Sequence, residues 1–311
     1  SGTLTVGDAN NTNFVGIISG NGSFAKQGSG VLTLAGANVY SGSTSIAATG
    51  TLQGGVNSFL PKTTTVTVNG TLNLNDYTLT LAGISGSGVV TNTSATARAI
   101  TLGNDIGAVD SSFSGVFNAT TAANLTITKS GGGVFTLTNS GSAGTATGAW
   151  TINAGTVKLD YSAAGSQTGN IVGAFAPTLA GGTLNVTGRD TATVTQSFGN
   201  VTLNAGGSKI TVVAGATGTT NLSLGTLSPT TAGSSLLITA PTTSTTVKTT
   251  TTSITATATN GRIVFTGDNG ATYGWANNAG TAATAINGSS PLPGHRANGD
   301  EVQWPSADKS P

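Results

Sequence analysis

The sequence contains no cysteine and no methionine among its 311 residues, and little charge. Without cysteine there are no disulfide bonds, no thiolate metal sites and no cysteine catalysis. Charged residues make up 7% of the chain, against about 25% in an ordinary soluble domain. This composition is that of neither a typical cytosolic enzyme nor a charged disordered chain. The lack of oxidisable sulfur also suits an oxidising environment outside the cell.

Basic residues are few and dispersed. The 11 lysines and arginines stand singly from Lys26 to Lys309 and are matched by 10 acidic residues, which leaves a net charge of +1. A phosphate-binding surface needs clustered positive charge, so we expect no nucleic-acid partner. No apolar run approaches the roughly 18 residues of a membrane-spanning helix, so we expect no membrane span in this chain.

What the sequence does have is glycine, 47 residues of it, and a loose internal repeat. A block from Lys26 to Leu34 returns as Lys129 to Leu137, and in both copies a further segment ending in Gly-Thr follows at nearly the same distance. Such repetition predicts stacked structural units. A shorter unit, Gly-Thr-(Leu/Val), starts at Gly2, Gly50, Gly70, Gly155, Gly182 and Gly225.

Between these markers, apolar residues alternate with threonine, serine or asparagine, and no segment has helical periodicity. Period two is typical of a half-buried strand, and the outward polar residues can form ladders with like residues on the next strand. The pattern predicts short strands joined by glycine-containing turns. The alternating segments are Val66–Val68, Leu72–Leu74, Leu79–Leu81, Leu125–Ile127, Leu184–Val186, Val201–Leu203, Ile210–Val212 and Leu222–Leu224.

The first 52 residues carry a longer motif: Phe14-x-Gly16-x-Ile18-Ser19-Gly20-x-Gly22-Ser23, then Lys26-x-Gly28-x-Gly30-x-Leu32-Thr33-Leu34, then Asn38-x-Tyr40-Ser41-Gly42-x-Thr44 and Gly50-Thr51-Leu52. It resembles the autotransporter-associated β-strand repeat of large bacterial surface proteins, which include autotransporter passenger domains. Residues 113–159 match the repeat less well. The resemblance implies a right-handed parallel β-solenoid in the extracellular space or at a bacterial cell surface, and it brings no catalytic residues with it.

We therefore predict an all-β, right-handed parallel β-solenoid (β-helix) over residues 1–287, with residues 261–287 as its last coils. At roughly 20 to 25 residues per coil, the chain would form about 12 to 15 coils. Since alternation alone does not separate parallel from antiparallel pairing, an array of β-sandwich domains is the alternative fold. The threonine-rich residues 241–260 are interpreted as strands rather than as a mucin-like stalk. Residues 288–311 hold four of the eight prolines and are predicted to form a non-repeat cap or linker.

Residues with catalytic potential are isolated. His295 is the only histidine and has no partner cluster, which indicates surface structure. Asp300 and Glu301 are adjacent, so on a strand they would point to opposite faces, which does not suit a glycosidase pair. We predict no catalytic residue, no cofactor and no enzymatic activity. A polysaccharide-active β-helix enzyme is the enzymatic alternative.

Two segments carry oxygen ligands of the kind that Ca²⁺ prefers, residues 8–13 and residues 268–270. Neither has the closing glutamate of an EF-hand or a repeated Gly-Gly-x-Gly-x-Asp tract. We interpret both as turns and predict no metal site. Asp105, Asp110 and Asp190 are interpreted as turn-forming residues as well.

The candidate interaction surface lies at the two ends of the chain. Tyr273, Trp275 and Trp304 could form a hydrophobic cap on the final coil or a cluster that binds glycan or another subunit. Gly2 and Leu4 begin the first strand, where an uncapped coil would present unpaired N–H and C=O groups.

The function that we expect is that of a structural extracellular β-solenoid protein. Copies would join head to tail as subunits of a bacterial surface fibre or matrix. The first alternative is a monomeric surface adhesin that binds glycan or host protein through its outer ladders or its aromatic end.

Overall fold

A computed structural model of the chain describes residues 2–103, 107–119, 124–138, 148–162, 167–173, 175–229, 232–241, 245–249, 263–267, 272–278 and 284–291. After Val264 only the course of the backbone is described. Within these ranges there are 30 β-strands and no α-helix, as the alternating pattern predicts.

Most strands have three to five residues. In chain order they are β1 Thr3–Val6, β2 Thr12–Phe14, β3 Ser23–Lys26, β4 Val31–Leu34, β5 Thr44–Ile46, β6 Thr51–Gly54, β7 Thr65–Val68, β8 Thr71–Asn73, β9 Leu79–Leu81, β10 Gly83–Ser85, β11 Val89–Asn92, β12 Arg98–Leu102, β13 Ser111–Phe113, β14 Val116–Ala119, β15 Leu125–Lys129, β16 Val134–Leu137, β17 Trp150–Ile152, β18 Thr156–Asp160, β19 Pro177–Leu179, β20 Thr183–Thr187, β21 Val194–Ser197, β22 Val201–Leu203, β23 Gly206–Val213, β24 Thr220–Leu224, β25 Leu227–Pro229, β26 Ser234–Thr239, β27 Thr245–Thr249, β28 Ile263–Gly267, β29 Thr272–Asn278 and β30 Thr284–Pro291.

Apart from the last two, the strands stack as parallel pairs, each on the equivalent strand of the preceding coil. β1 pairs with β3 through Thr3 and Ser23, whereas β20 pairs with β23 through Thr183 and Lys209, so the later coils are longer. The result is a parallel β-solenoid. It confirms the predicted fold class and excludes the β-sandwich alternative, whose strands pair antiparallel. The longest stack, from β1 to β28, has twelve strands, one per coil, at the lower end of the expected range of about 12 to 15 coils.

The strands form three faces, although not every turn has a strand on each of them. The first face runs through β1, β3, β5, β7 and β10 and continues, across a bridge between Gly86 and Phe113, into β13, β16, β18, β20, β23, β26 and β28. The second face contains β2, β4, β6, β8, β11 and β14, and in its later turns β21, β24 and β27. The third face contains β9, β12, β15, β17, β19, β22 and β25.

Apolar side chains of equivalent strands form continuous rows inside the solenoid. One row on the second face runs through Leu32, Leu52, Leu72, Val90 and Phe117, which are paired strand by strand and all buried. Burying one such side chain stabilises the fold by about 1.5–3 kcal/mol. The apolar residues of the alternating pattern thus point into one shared core.

Five aromatic rings line up within this core. The centroid distances are 5.2 Å from Phe113 to Phe117, 5.5 Å from Phe117 to Trp150, 4.9 Å from Trp150 to Phe175 and 5.1 Å from Phe175 to Phe198. Rings at these separations attract each other beyond simple burial. The row ties together coils that are far apart in sequence.

Polar side chains join successive coils at the corners. Asn11 Oδ1 accepts a hydrogen bond from the backbone N–H of Val31, and Asp110 Oδ1 accepts one from the backbone N–H of Val134, both at 2.8 Å. Asp190 makes a similar bond to the next coil at 3.0 Å. These side chains satisfy backbone donors at the turns, where the strand ladders end.

The C-terminal strands depart from the parallel pattern. β28 pairs antiparallel with β29, β29 with β30, and β30 with β27. β30 crosses the predicted domain boundary between residues 287 and 288. The threonine-rich stretch contributes β27, whereas residues 250–260 lie outside the described part of the chain.

Candidate functional site

Exposed apolar side chains gather at the start of the solenoid. Of the six large hydrophobic residues that are exposed among those described, four lie within residues 4–17: Leu4 is 48% exposed, Phe14 40%, Val15 75% and Ile17 63%. Clustered apolar exposure marks interaction surfaces. We refer to residues 2–18 as the N-terminal coil.

The exposure of Leu4 and Phe14 follows from the order of the strands, whereas Val15 and Ile17 point outward, as do their equivalents one coil later. In the described chain β1 pairs only with β3, and β2 only with β4, so one edge of each is free. Leu4 lies in register with Phe24, and Phe14 with Leu34. Phe24 and Leu34 are fully buried one coil later. The N-terminal coil therefore carries the apolar rows of an inner coil with one side uncovered.

A concavity of about 320 Å³ opens beside the first strand. Gly2 and Leu4, two residues of the predicted interaction surface, line it together with Ile18 and the buried Tyr40. Burial raises the pKa of Tyr40 to about 12, although its hydrogen bond with Thr44 acts in the opposite direction. The concavity thus has neutral, largely apolar walls at physiological pH, which suits an apolar side chain.

Charge is nearly absent from this end of the molecule. Asp8 is the one charged residue in residues 2–22. It accepts hydrogen bonds from the backbone N–H of Asn10 at 2.8 Å and from the Asn10 side-chain amide at 3.2 Å. These two bonds lower the pKa of Asp8, which therefore stays ionised at neutral pH.

The same contacts bear on the two segments considered for Ca²⁺. Residues 8–11 form the corner between β1 and β2, where Asp8 and Asn11 use their oxygens for backbone donors, and residues 12 and 13 belong to β2. The second segment, residues 268–270, lies outside the described residues. Within the ranges that the structure describes, no group of three or more His, Cys, Asp and Glu side chains is placed to hold a metal ion.

Two buried lysines mark equivalent corners of the repeat. Lys26 is 1% exposed and Lys129 is 2% exposed, and each Nζ donates hydrogen bonds to the carbonyls of the two residues that follow it. Burial lowers the pKa of both side chains. The sequence marked these lysines as repeat positions, but it did not show that they are buried and hold the corner.

The remaining predicted residues do not join this site. Tyr273 and Trp275 lie on β29, at the opposite end of the solenoid, and their side chains are outside the described structure. Sequence reasoning missed Phe14, Val15 and Ile17, because an apolar residue at an open end has no local pattern of its own. The predicted residues that lie wholly outside the described ranges are Asp105, Asp268, His295, Asp300, Glu301 and Trp304.

Comparison with known families supports the repeat. Two segments, residues 24–53 and residues 127–159, match the family model of the passenger-associated-transport-repeat. Each segment contains one of the two buried lysines. The chain thus carries an autotransporter passenger repeat in two places, which confirms the resemblance indicated by its sequence. No curated protein and no solved structure matches the chain significantly.

Fold and repeat together define a passenger-like β-solenoid of the extracellular or surface-displayed kind. In the part of the chain that the structure describes, no helix has the length and apolar character needed to cross a membrane.

Proposed function

We propose that this protein is a structural element, a passenger-like extracellular rod that associates with copies of itself in a bacterial surface fibre or matrix. The observation that carries the proposal is a group of exposed apolar side chains on the outer surface of the first coils, Val15, Ile17 and Val39. Clustered apolar exposure marks interaction surfaces.

The rest of the molecule suits a mechanical role. The twelve strands stacked on the first face, at roughly 4.8 Å per strand, make a rod of about 55 Å. Its stability comes from stacked strands and internal apolar rows, each supported by the coils on both sides. Like residues lie above one another in such stacks, so a low charge content avoids repulsion along the rod.

Sedimentation of the purified chain over a concentration series, with electron micrographs of the same samples, tests the proposal. We expect the mean mass to rise with concentration. The head-to-tail fibre or matrix remains a prediction for the form of this association, and uniform thin filaments would support it. A rod that stays monomeric at every concentration would contradict self-association and direct attention to a ligand.

Adhesion is a second candidate function, favoured by one feature of the third face. A row of half-buried hydroxyl side chains runs along it without interruption, one per strand and paired in register: Thr80, Thr101, Thr128, Thr151, Thr178, Thr202 and Ser228. A long, uncharged row of hydroxyl groups suits hydrogen bonding to a glycan.

Binding to an immobilised glycan panel tests this second candidate. A Thr151→Lys variant interrupts the hydroxyl row and should lose any binding seen with the unchanged chain. Thr211→Lys makes the same change on the first face and should leave binding intact. Absence of binding to every glycan in the panel would count against an adhesin that uses this face.

If the chain were instead a polysaccharide-active enzyme, a screen for lyase and hydrolase activity should yield product. Absence of product with every polysaccharide in the screen would count against this alternative.

A further inference from the structure

Asparagine stands directly before glycine at six positions of the chain: Asn21, Asn69, Asn260, Asn269, Asn287 and Asn298. The pair matters chemically, because glycine has no Cβ and lets its own backbone nitrogen approach the carboxamide carbon of the asparagine before it. The side chains of two of the six, Asn21 and Asn69, belong to the described part of the structure. Both are exposed and both lie in corners between strands, so a difference in reactivity between them has to come from the way in which the fold holds them.

The corner at Asn69 is held by hydrogen bonds to both neighbouring coils. The backbone N–H groups of Asn69 and Gly70 donate to the carbonyl of Ile46, at 3.0 and 3.3 Å. Asn69 Oδ1 accepts a hydrogen bond from the backbone N–H of Ser87 at 3.4 Å, and Gly70 is buried. The two groups of this pair that would react, the nitrogen of Gly70 and the carboxamide of Asn69, are thus both engaged.

The corner at Asn21 is built differently. In the part of the chain that the structure describes, neither the Asn21 carboxamide nor the backbone N–H of Gly22 makes a hydrogen bond. The carbonyl of Gly2, in the coil below, accepts from the N–H of Ser23 at 2.9 Å. Gly20, which precedes Asn21, has a φ of +107°, and an added Cβ there would meet nothing within 4 Å. The pair therefore lies in an open turn with both of its reacting groups unengaged.

The outward direction of this corner repeats in the next coil. The carbonyls of Gly20 and Gly22 accept hydrogen bonds from the N–H groups of Ser41 and Gly42, at 3.0 and 3.1 Å. Ser41 thus occupies the position equivalent to Asn21 one coil later, inside the stack, and it is exposed as well. The repeat itself turns this position towards solvent.

We propose that Asn21 is a site of spontaneous deamidation and that the fold selects it over Asn69. In this reaction the backbone nitrogen of Gly22 loses its proton and bonds to the side-chain carbonyl carbon of Asn21. The bond from that carbon to Nδ2 breaks, and the nitrogen leaves with the proton as ammonia. Water then opens the resulting succinimide and leaves an aspartate or an isoaspartate at position 21. The step needs no other reactant, and the Gly22 nitrogen is available for it, whereas the nitrogen of Gly70 is bonded to Ile46.

The product carries a negative charge beside the exposed apolar group. Asn21 follows Ile18 by three residues, and the carbonyl of Ile18 accepts a hydrogen bond at 2.9 Å from the N–H of Val39, which is 64% exposed. This consequence rests on the proposed self-association, which uses Val39. A charge at the edge of an apolar contact has to give up water when the contact forms, so deamidation should weaken the association. The affinity of the chain for its copies would then fall with age.

Site-resolved mass spectrometry of the purified full chain tests the modification. During incubation at mildly alkaline pH, aspartate and isoaspartate should form at least about tenfold faster at position 21 than at position 69, because two or more hydrogen bonds have to break before Asn69 can react. In urea that unfolds the chain, this difference should disappear, since the two sites are the same dipeptide. Equal rates in the folded chain, or a difference that persists unchanged in urea, would overturn the proposal.

Two aspartate variants test the consequence for association. Asn21→Asp reproduces the charge of the product and should raise the dissociation constant of self-association at least about threefold. Asn69→Asp makes the same change at a corner away from Val39 and should leave the dissociation constant unchanged. Both side chains are exposed, so both variants should fold, as circular dichroism would verify. Equal dissociation constants for the two variants would overturn the link between deamidation and association.

The two experiments keep the proposals apart. A chain that stays monomeric at every concentration overturns the proposed self-association, but the rates at positions 21 and 69 still decide whether the fold selects Asn21.

Discussion

Gly28 and Gly132 show how differently two glycines of the repeat are used. Gly28 has a φ of +67°, and a Cβ atom there would run into the backbone of Asp8 in the coil below. Gly132 has no positive φ, and an added Cβ would meet only Ala108, at 3.7 Å. The corner that follows Lys26 therefore requires glycine, whereas the position of Gly132 accepts a side chain.

Gly28→Ala should destabilise the fold by about 1–3 kcal/mol, because alanine must adopt a strained backbone conformation and displace the neighbouring coil. Gly132→Ala is the matched control and should change stability by less than about 0.5 kcal/mol. Urea denaturation of both variants measures the difference. Equal losses would show that the corner does not depend on the glycine at position 28.

Asp160 carries the pH dependence of one strand end. Burial would raise its pKa, but hydrogen bonds from Lys158 and Ser162 outweigh that effect and hold the pKa below its ordinary value of 3.8. The Lys158 Nζ lies 2.8 Å from Asp160 Oδ2. A carboxyl whose pKa is lower in the folded state stabilises the fold above pH 3.8, and this contribution disappears as the pH falls through the folded-state pKa.

Asp160→Asn should therefore be less stable than the unchanged chain at pH 7, and the difference should shrink as the pH is lowered towards 2. Denaturation midpoints at several pH values measure this difference. A difference that stays constant from pH 7 to pH 2 would contradict the role assigned to the carboxylate. Lys209→Gln, on the half-buried outer row of β23, is a control that should show no such dependence.

At the scale of the element, the position of a strand in the stack decides what an apolar residue contributes. Phe113, on β13, is fully buried between the coils above and below it, whereas Phe14, on β2, is 40% exposed at the open end. Phe113→Ala should cost about 3–5 kcal/mol, since it leaves a cavity in the aromatic row. Phe14→Ala should cost less than about 1 kcal/mol when measured at a dilution that keeps the chain monomeric. Comparable losses would contradict the uncovered first coil.

The strands themselves could be predicted from the sequence, because a half-buried strand imposes period two on its own residues. All eight alternating segments coincide with or overlap strands, among them Leu79–Leu81 as β9 and Leu184–Val186 in β20. The burial of Lys26 could not be predicted from alternation, which treats a charged residue as outward. Its partners are the carbonyls of a corner that exists only once the chain turns.

The open end was predictable in part. Gly2 and Leu4 were expected there because they begin the first strand, but the extent of the apolar surface depends on which coil lies next to which. The antiparallel pairing of β29 was not predictable either, because the alternating pattern of a strand is the same whichever way its partner runs.

At the scale of the whole molecule, β29 and β30 cover the last parallel strands of two faces. Removing residues 268–311 should free the edges of β28 and β27, because β29 and β30 pair with them. Free strand edges pair with other chains, so the truncated chain should associate more strongly than the full chain in sedimentation over a concentration series. Equal association of the two chains would show that β29 and β30 do not protect these edges.

The central claim is that the chain is a rod of parallel strands stacked coil on coil, and hydrogen–deuterium exchange tests it on the backbone itself. The amides of β5, whose strand is paired on both sides, should exchange much more slowly than those of the exposed corner at residues 20–21. Equally fast exchange in β5 and in that corner would contradict the account.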